Sequence, residues 1–237
     1  MKYELLEIES LKFAIVNKEM YLIDTGSPYS FFKKGSALIE GVKYENGLFK
    51  EILEKRMDEL SKYIKPKTRR VVKGIIGSDI ISKTGLTINK KEAYVLFEET
   101  KFNPKGFFTI DLKEVNNQTY IVFPCLKLRG MVYMGEYSYV LDTGSLVSIF
   151  NKDLCAHAQY AYRKDFYYPS LGRTITLDFM FFDLNEESKI RLICGSNIDK
   201  EIDEQLEFIG VDGELSFNDF EYEILSIDIK NKKILWS

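Results

Sequence analysis

The 237-residue chain contains one histidine, one tryptophan and three cysteines. Any imidazole chemistry would have to use His157. Its neighbour Cys155 is two positions away, which on a helix puts the two on different faces, so no Cys–His dyad is expected. Cys125, Cys155 and Cys194 are odd in number and show no C-x-x-C spacing. That argues against a disulfide framework and against a zinc site. No metal or cofactor is expected, and the cysteine usage points to a reducing compartment, the cytoplasm.

Other absences narrow the field further. No apolar run approaches the length that spans a membrane. The N-terminal MKYELLEIESLKF carries Glu4, Glu7 and Glu9 where a secretory signal needs unbroken apolar sequence. No inhibitory pro-segment is expected ahead of Lys2. Net charge is −3 with a pI near 5.5, so the chain lacks the footprint of a nucleic-acid binder. The local basic run Lys65, Lys67, Arg69, Arg70 and Lys73 reads as a solvated segment. No G-x-S-x-G, Walker loop, G-x-G-x-x-G or H-E-x-x-H occurs. What remains is 45% hydrophobic and 14% aromatic, enough to build a core for one large domain or two small ones.

A repeat decides the reading. Residues 21–32 read YLIDTGSPYSFF and residues 139–150 read YVLDTGSLVSIF. Seven of the twelve positions are identical, and both pairs before the Asp are apolar. A second echo follows each copy: GIIGSDII at 74–81 and EFIGVDGEL at 207–215, each with two apolar residues ahead of a glycine, Gly77 and Gly210. A third, at 86–97 and 225–237, has the pattern strand, polar turn, strand. The repeating unit is therefore about 100 residues, close to a small domain.

The surroundings of both copies are β. LKFAIV and MYLID flank Asn17-Lys18-Glu19, and GMVYM and YSYVLD flank Gly135-Glu136, so a hairpin is expected at each. Each Asp then ends a buried strand, and Gly26 or Gly144 allows the tight bend after it.

Two DTGS turns, each followed by an apolar-apolar-Gly segment, resemble the pepsin-like and retropepsin-like aspartic proteases. The resemblance spans nearly the whole chain. It implies a mainly β fold of two similar acid-protease-like β-barrel lobes related by a pseudo-twofold axis. It implies Asp24 and Asp142 as the catalytic pair. Thr25 and Thr143 would bind the two turns reciprocally across the axis, with Gly26 and Gly144 beside them. Ser27 and Ser145 would hydrogen-bond the outer carboxylate oxygens. The Gly77 and Gly210 segments would pack beneath the turns.

The chemistry of such a pair follows from electrostatics. Two carboxylates a few ångströms apart in a poorly solvated site cannot both ionise. One proton is shared, and the apparent pKa values belong to the pair. The ionised member can take a proton from water while the protonated member donates to the substrate carbonyl. Peptide hydrolysis then needs no histidine, metal or covalent nucleophile. Carboxylates more than about 6 Å apart with no water between them would instead favour turns that are scaffolding alone.

Two segments depart from the resemblance. Where a flap hairpin is implied, NGLFKEILEKRMDELSKYIK carries Leu48, Phe49, Ile52, Leu53, Met57, Leu60 and Ile64 at helical spacing. A helix inserted in the first lobe over about 46–64 is expected, with Asn46 as N-cap. Its stripe either packs on the lobe or serves as a lid. In the second lobe, FYYPSLGRTITLDFMFFDL at 166–184 alternates and contains a turn, so a hairpin there could take the flap's place. Tyr167 and Tyr168 are its candidate substrate contacts. Without a working flap, a non-hydrolytic peptide-binding module is the alternative. Asp79 and Asp212 are expected to bond locally.

The expected organisation is a lobe at 1–98, a crossing segment at 99–118 and a lobe at 119–237, with the terminal strands in a joining sheet. One chain supplies both Asp residues, so the expectation is a monomer. Its partner would be a peptide or protein, not nucleic acid or a membrane.

Overall fold

The computed structural model describes residues 1–47, 50–129, 134–151, 162–168, 172–183, 191–196 and 200–237. Cys155 and His157 lie outside them, as do Leu48 and Phe49. Strand Leu11–Val16 is buried along nearly all its length and lies antiparallel between Tyr3–Ile8 and Glu19–Ile23. Successive residues at positive φ close both hairpins: Glu9 (47°) and Ser10 (73°), then Asn17 (50°) and Lys18 (69°). This conformation matches the right-handed twist of the strands it joins.

Ten strands form one sheet and eight another, with Ser36–Ile39 and Val42–Glu45 paired separately. The fold is mainly β, as expected, and among the described residues no closed barrel forms. The ten-stranded sheet is open. In the eight-stranded sheet Arg129 also pairs with Asp183, where the described parts of both strands end.

The terminal strands do join one sheet. Ile224–Asp228 pairs with Leu86–Asn89, and Lys233–Trp236 pairs with Gly106–Thr109. The C-terminal hairpin thus belongs with strands from the first 98 residues. The crossing segment is more than a linker, because it also carries Asp111–Val115, paired with Gln118–Arg129. Asn116 and Asn117, at φ of 49° and 62°, form the turn between them. Asparagine tolerates that left-handed conformation, so the asparagines mark a hairpin here. The turn expected at Gly135-Glu136 is instead strand, since these residues pair with Leu128 and Lys127.

The same crossing occurs twice. Val72–Ile76 runs parallel to Glu19–Ile23, placing Gly74, Ile75 and Ile76 beside Tyr21, Leu22 and Ile23. Gly213–Ser216 runs parallel to Met134–Asp142, placing Gly213, Glu214 and Leu215 beside Tyr139, Val140 and Leu141. The counterpart of Gly77 is therefore Ser216, not Gly210. Gly210, at φ 71°, instead caps helix Lys200–Ile209, its N–H donating to Leu206 O at 2.8 Å. The EFI ahead of it belongs to this helix.

The inserted helix spans Lys50–Thr68 and buries Leu53, Met57, Leu60 and Ile64 against Phe13, Leu22, Phe31 and Ile75. Burial of each such side chain contributes about 2 kcal/mol. Asn46 does not cap it: its side chain accepts from Phe32 N at 2.7 Å and donates to Phe32 O at 3.1 Å. The second hairpin also forms, with Tyr162–Tyr168 antiparallel to Arg173–Asp183. Its Pro-Ser-Leu connection lies outside the described residues.

Candidate active site

Asp24 follows strand Glu19–Ile23, and Asp142 ends strand Met134–Asp142. The turns after them face one another. Thr25 N–H donates to Thr143 Oγ1 at 3.1 Å, and Thr143 N–H donates to Thr25 Oγ1 at 3.0 Å. The hydroxyls continue outward, Thr25 Oγ1 to Leu141 O at 2.7 Å and Thr143 Oγ1 to Ile23 O at 3.0 Å. Both threonines are buried, so these four bonds are shielded from water.

This lock sets each carboxyl against the glycine of the opposite turn. A Cβ built on Gly26 would stand 2.3 Å from Asp142 Oδ2, and one on Gly144 would stand 2.5 Å from Asp24 Cγ. Each turn's glycine therefore makes room for the other turn's carboxylate.

The serines act differently from expectation. Ser27 N–H donates to Asp24 Oδ1 at 3.0 Å, and Ser145 N–H donates to Asp142 Oδ1 at 2.9 Å, beside Gly144 N–H at 2.7 Å. Backbone amides, not hydroxyls, hold the carboxylates, because the tight turn points successive N–H groups inward. Ser27 Oγ instead donates to Tyr29 O at 2.8 Å. Ser145 Oγ lies 2.7 Å from Val147 O, 2.9 Å from Glu214 Oε1 and 3.0 Å from Tyr168 Oη.

The expected support beneath the first turn is present. Asp24 N–H donates to Ile76 O at 3.0 Å, and Ser78 N–H donates to Ser27 O at 2.8 Å. Asp79 accepts from Ser30 Oγ at 2.6 Å, and Asp212 accepts from Ser138 N at 2.9 Å. Neither is local as expected: the bonds span 49 and 74 residues of sequence.

The pair forms the floor of a cleft of about 390 Å³. Ile52, Leu53, Arg56 and Met57 of helix Lys50–Thr68 line one wall. Glu201, Ile202, Gln205 and Phe208 of helix Lys200–Ile209 line the other. Arg56 Nη2 and Glu201 Oε1 approach to 3.6 Å between the two helices. Of the two tyrosines singled out by sequence, Tyr168 lines the cleft and Tyr167 does not. Tyr167 turns the other way and packs its ring on Tyr63 at 5.2 Å, as alternation along a strand requires.

Loss of water raises both Asp24 and Asp142 above the usual carboxylate range. Asp142 is raised well above it, since the charges of Asp24 and Glu214 add to burial. On Asp24, the Ser27 amide, Asp142 and the more distant Arg56 cation oppose the rise. Burial likewise pushes Glu214 up to about 7, against the hydroxyls of Ser145 and Tyr168. This environment favours a single proton held between neighbouring carboxyls.

Glu214, Arg56 and helix Lys200–Ile209 escape the sequence reading. The helix had a usable signal: Ile202, Leu206 and Ile209 at helical spacing, then Gly210. Glu214 had none, because only the parallel register reveals its neighbours. Among the described residues, no cluster of His, Cys, Asp and Glu fits a metal ion.

No protein-family model matches the chain, and a search of curated proteins finds no match. A solved structure, basic 7S globulin from soybean, superposes with a TM-score of 0.51 at 7% identity. The match covers 100% of this chain and 94% of that one. The likeness is one of fold. It extends over the whole two-sheet architecture and says nothing of activity.

Proposed function

We propose that the chain is an aspartic endopeptidase that hydrolyses peptide bonds with Asp24 and Asp142. The observation that carries this reading is the pair of carboxyls lining one cleft, each against the other turn's glycine and locked by reciprocal threonine bonds. The ionised carboxyl accepts a proton from a water between the pair. The protonated one donates to the substrate carbonyl, and the water attacks. The backbone amides of Ser27, Gly144 and Ser145 keep the carboxylates fixed while the proton moves.

On this reading the substrate is a peptide or protein, and no cofactor takes part. One chain completes the site, so it works as a monomer. The cysteine content favours the cytoplasm, and among the described residues no helix is long and apolar enough to cross a membrane. The test is cleavage of a mixed peptide library by the wild type and by Asp24→Asn and Asp142→Asn separately. Each substitution should reduce turnover at least about 10³-fold while far-UV circular dichroism is unchanged. Full activity in either variant would sink the assignment.

A second reading has one observation behind it. Helix Lys50–Thr68 stands where a mobile flap hairpin is implied, and it is anchored by Met57, Leu60 and Ile64. A rigid wall suits retention of a peptide without turnover. Library peptides that bind but emerge uncut would favour this reading.

A further inference from the structure

The two flanks of the dyad are equivalent in backbone and opposite in chemistry. Ile75 lies beside Leu22 on the Asp24 side, and Glu214 lies beside Val140 on the Asp142 side. Both side chains line the cleft. Ile75 packs in an apolar cluster with Leu22, Leu53 and Met57, which also line the cleft. Glu214 instead meets the hydroxyls of Ser145 and Tyr168.

Glu214 is also held in a defined pose. The Ser145 hydroxyl lies 2.9 Å and the Tyr168 hydroxyl 3.4 Å from its Oε1. Neither bond uses Oε2. A carboxylate in place of an aliphatic side chain costs desolvation, and the packing of the strand does not require one. The cleft also gathers carboxyls. Asp24, Asp142, Glu201 and Glu214 line it against one cation among the described lining residues, Arg56, which approaches Glu201 and whose charge also bears on Glu214.

We infer that Glu214 makes the Asp142 side of the cleft a subsite for a cationic side chain, lysine or arginine. The Asp24 side, built on Ile75, takes an apolar one. The inference rests on the peptide-cleft reading above. A cation on Oε2 would hold Glu214 ionised and satisfy its second oxygen. A substrate would then be read by its charge on one side of the scissile bond and its apolar surface on the other. Glu214 is thus a specificity-determining residue, separate from the pair that does the chemistry.

The test uses short blocked peptides whose central bond is a reduced, non-hydrolysable isostere. They are identical except that lysine, glutamine or norleucine flanks that bond, on either side in turn. Binding is read by isothermal titration at pH 8, above the Glu214 value. In one placement the lysine peptide should bind at least about 10-fold tighter than the norleucine peptide. Glu214→Gln, which keeps an acceptor for Ser145 and Tyr168, should bring the two within about 2-fold. Equal affinities in both placements would overturn the inference, as would discrimination that survives in Glu214→Gln or no binding at all. Glutamine binding as tightly as lysine would also overturn it, since the site would then read a hydrogen bond and not a charge. The same sequences with an ordinary amide test the other reading. Lysine-selective binding without cleavage would retain the subsite and discard the hydrolase.

Discussion

Thr25 and Thr143 each donate a backbone N–H to the other's hydroxyl, at 3.1 and 3.0 Å, although 118 residues separate them. This reciprocal bond converts two turns into one site. Each hydroxyl also donates onward to a strand carbonyl of the opposite turn, Leu141 O or Ile23 O. Thr25→Val would therefore orphan two buried groups at once. A cost of about 2–6 kcal/mol is expected, at about 1–3 kcal/mol per unsatisfied group. The two threonines share bonds, so Thr25→Val with Thr143→Val should cost less than the sum of the single changes. Urea unfolding of the four proteins checks this, and strict additivity would contradict the shared lock.

Turnover should depend on the shared proton. Peptide cleavage is expected to fall on the alkaline side as the pair loses its last proton. Arg56 opposes the rise in the Asp24 value, so Arg56→Gln should move the profile to higher pH. Its stability should change by less than about 1 kcal/mol, because its ion pair with Glu201 is largely exposed. A rate profile flat to about pH 9, or one unmoved by Arg56→Gln, would contradict this account.

The same carboxyls make folding stability pH-dependent. The folded value of Asp142 is raised well above that of an exposed carboxyl. Its protonated form therefore contributes stability that is complete below the ordinary carboxylate range. That contribution is lost as pH rises through the raised value. Asp142→Asn has no charge to bury, so it should gain on the wild type as pH rises from about 4 towards 8. Thermal unfolding across that range is the measurement. A constant difference would mean that the carboxyl is not buried in its charged form.

Lys12 carries the opposite linkage. It is fully buried, its Nζ donating to Ser10 O at 2.9 Å and Asn218 Oδ1 at 2.6 Å. Burial first, then the Lys90 charge, lowers it from 10.5 to about 8, with Glu7 acting the other way. Below pH 8 the folded protein bears a buried ammonium at a cost of about 3 kcal/mol, taking 1.4 kcal/mol per unit. The unfolded chain holds the extra proton between those values, so this penalty lifts as pH rises from about 8 to 10.5. Lys12→Met should lack that rise in denaturant titrations, and an identical rise in both proteins would refute the assignment.

Much of this was open to reading from residue order alone. The duplicated YLIDTGSPYSFF and YVLDTGSLVSIF marked both turns, because turn-forming residues act on the backbone next to them. Leu53, Met57, Leu60 and Ile64 marked the helix, because periodicity is a local property. Local signals misled where several contacts could use one residue type. Asn46 looked like a helix cap and binds the Phe32 backbone. Gly210 looked like the partner of Gly77 and caps a helix. Asn116 and Asn117 looked like linker and close a hairpin.

By itself the sequence determined that there are two DTGS turns in similar β surroundings, with a helix after the first. The tertiary structure decided which residues meet them. Glu214 lies opposite Ile75, Tyr168 reaches Ser145 and Arg56 faces Glu201 because two parallel crossings and two helices settle in one register and no other. That register is set by packing between segments far apart in the chain. No stretch of neighbouring residues encodes it, and it gives the two sides of one symmetric site different chemistry.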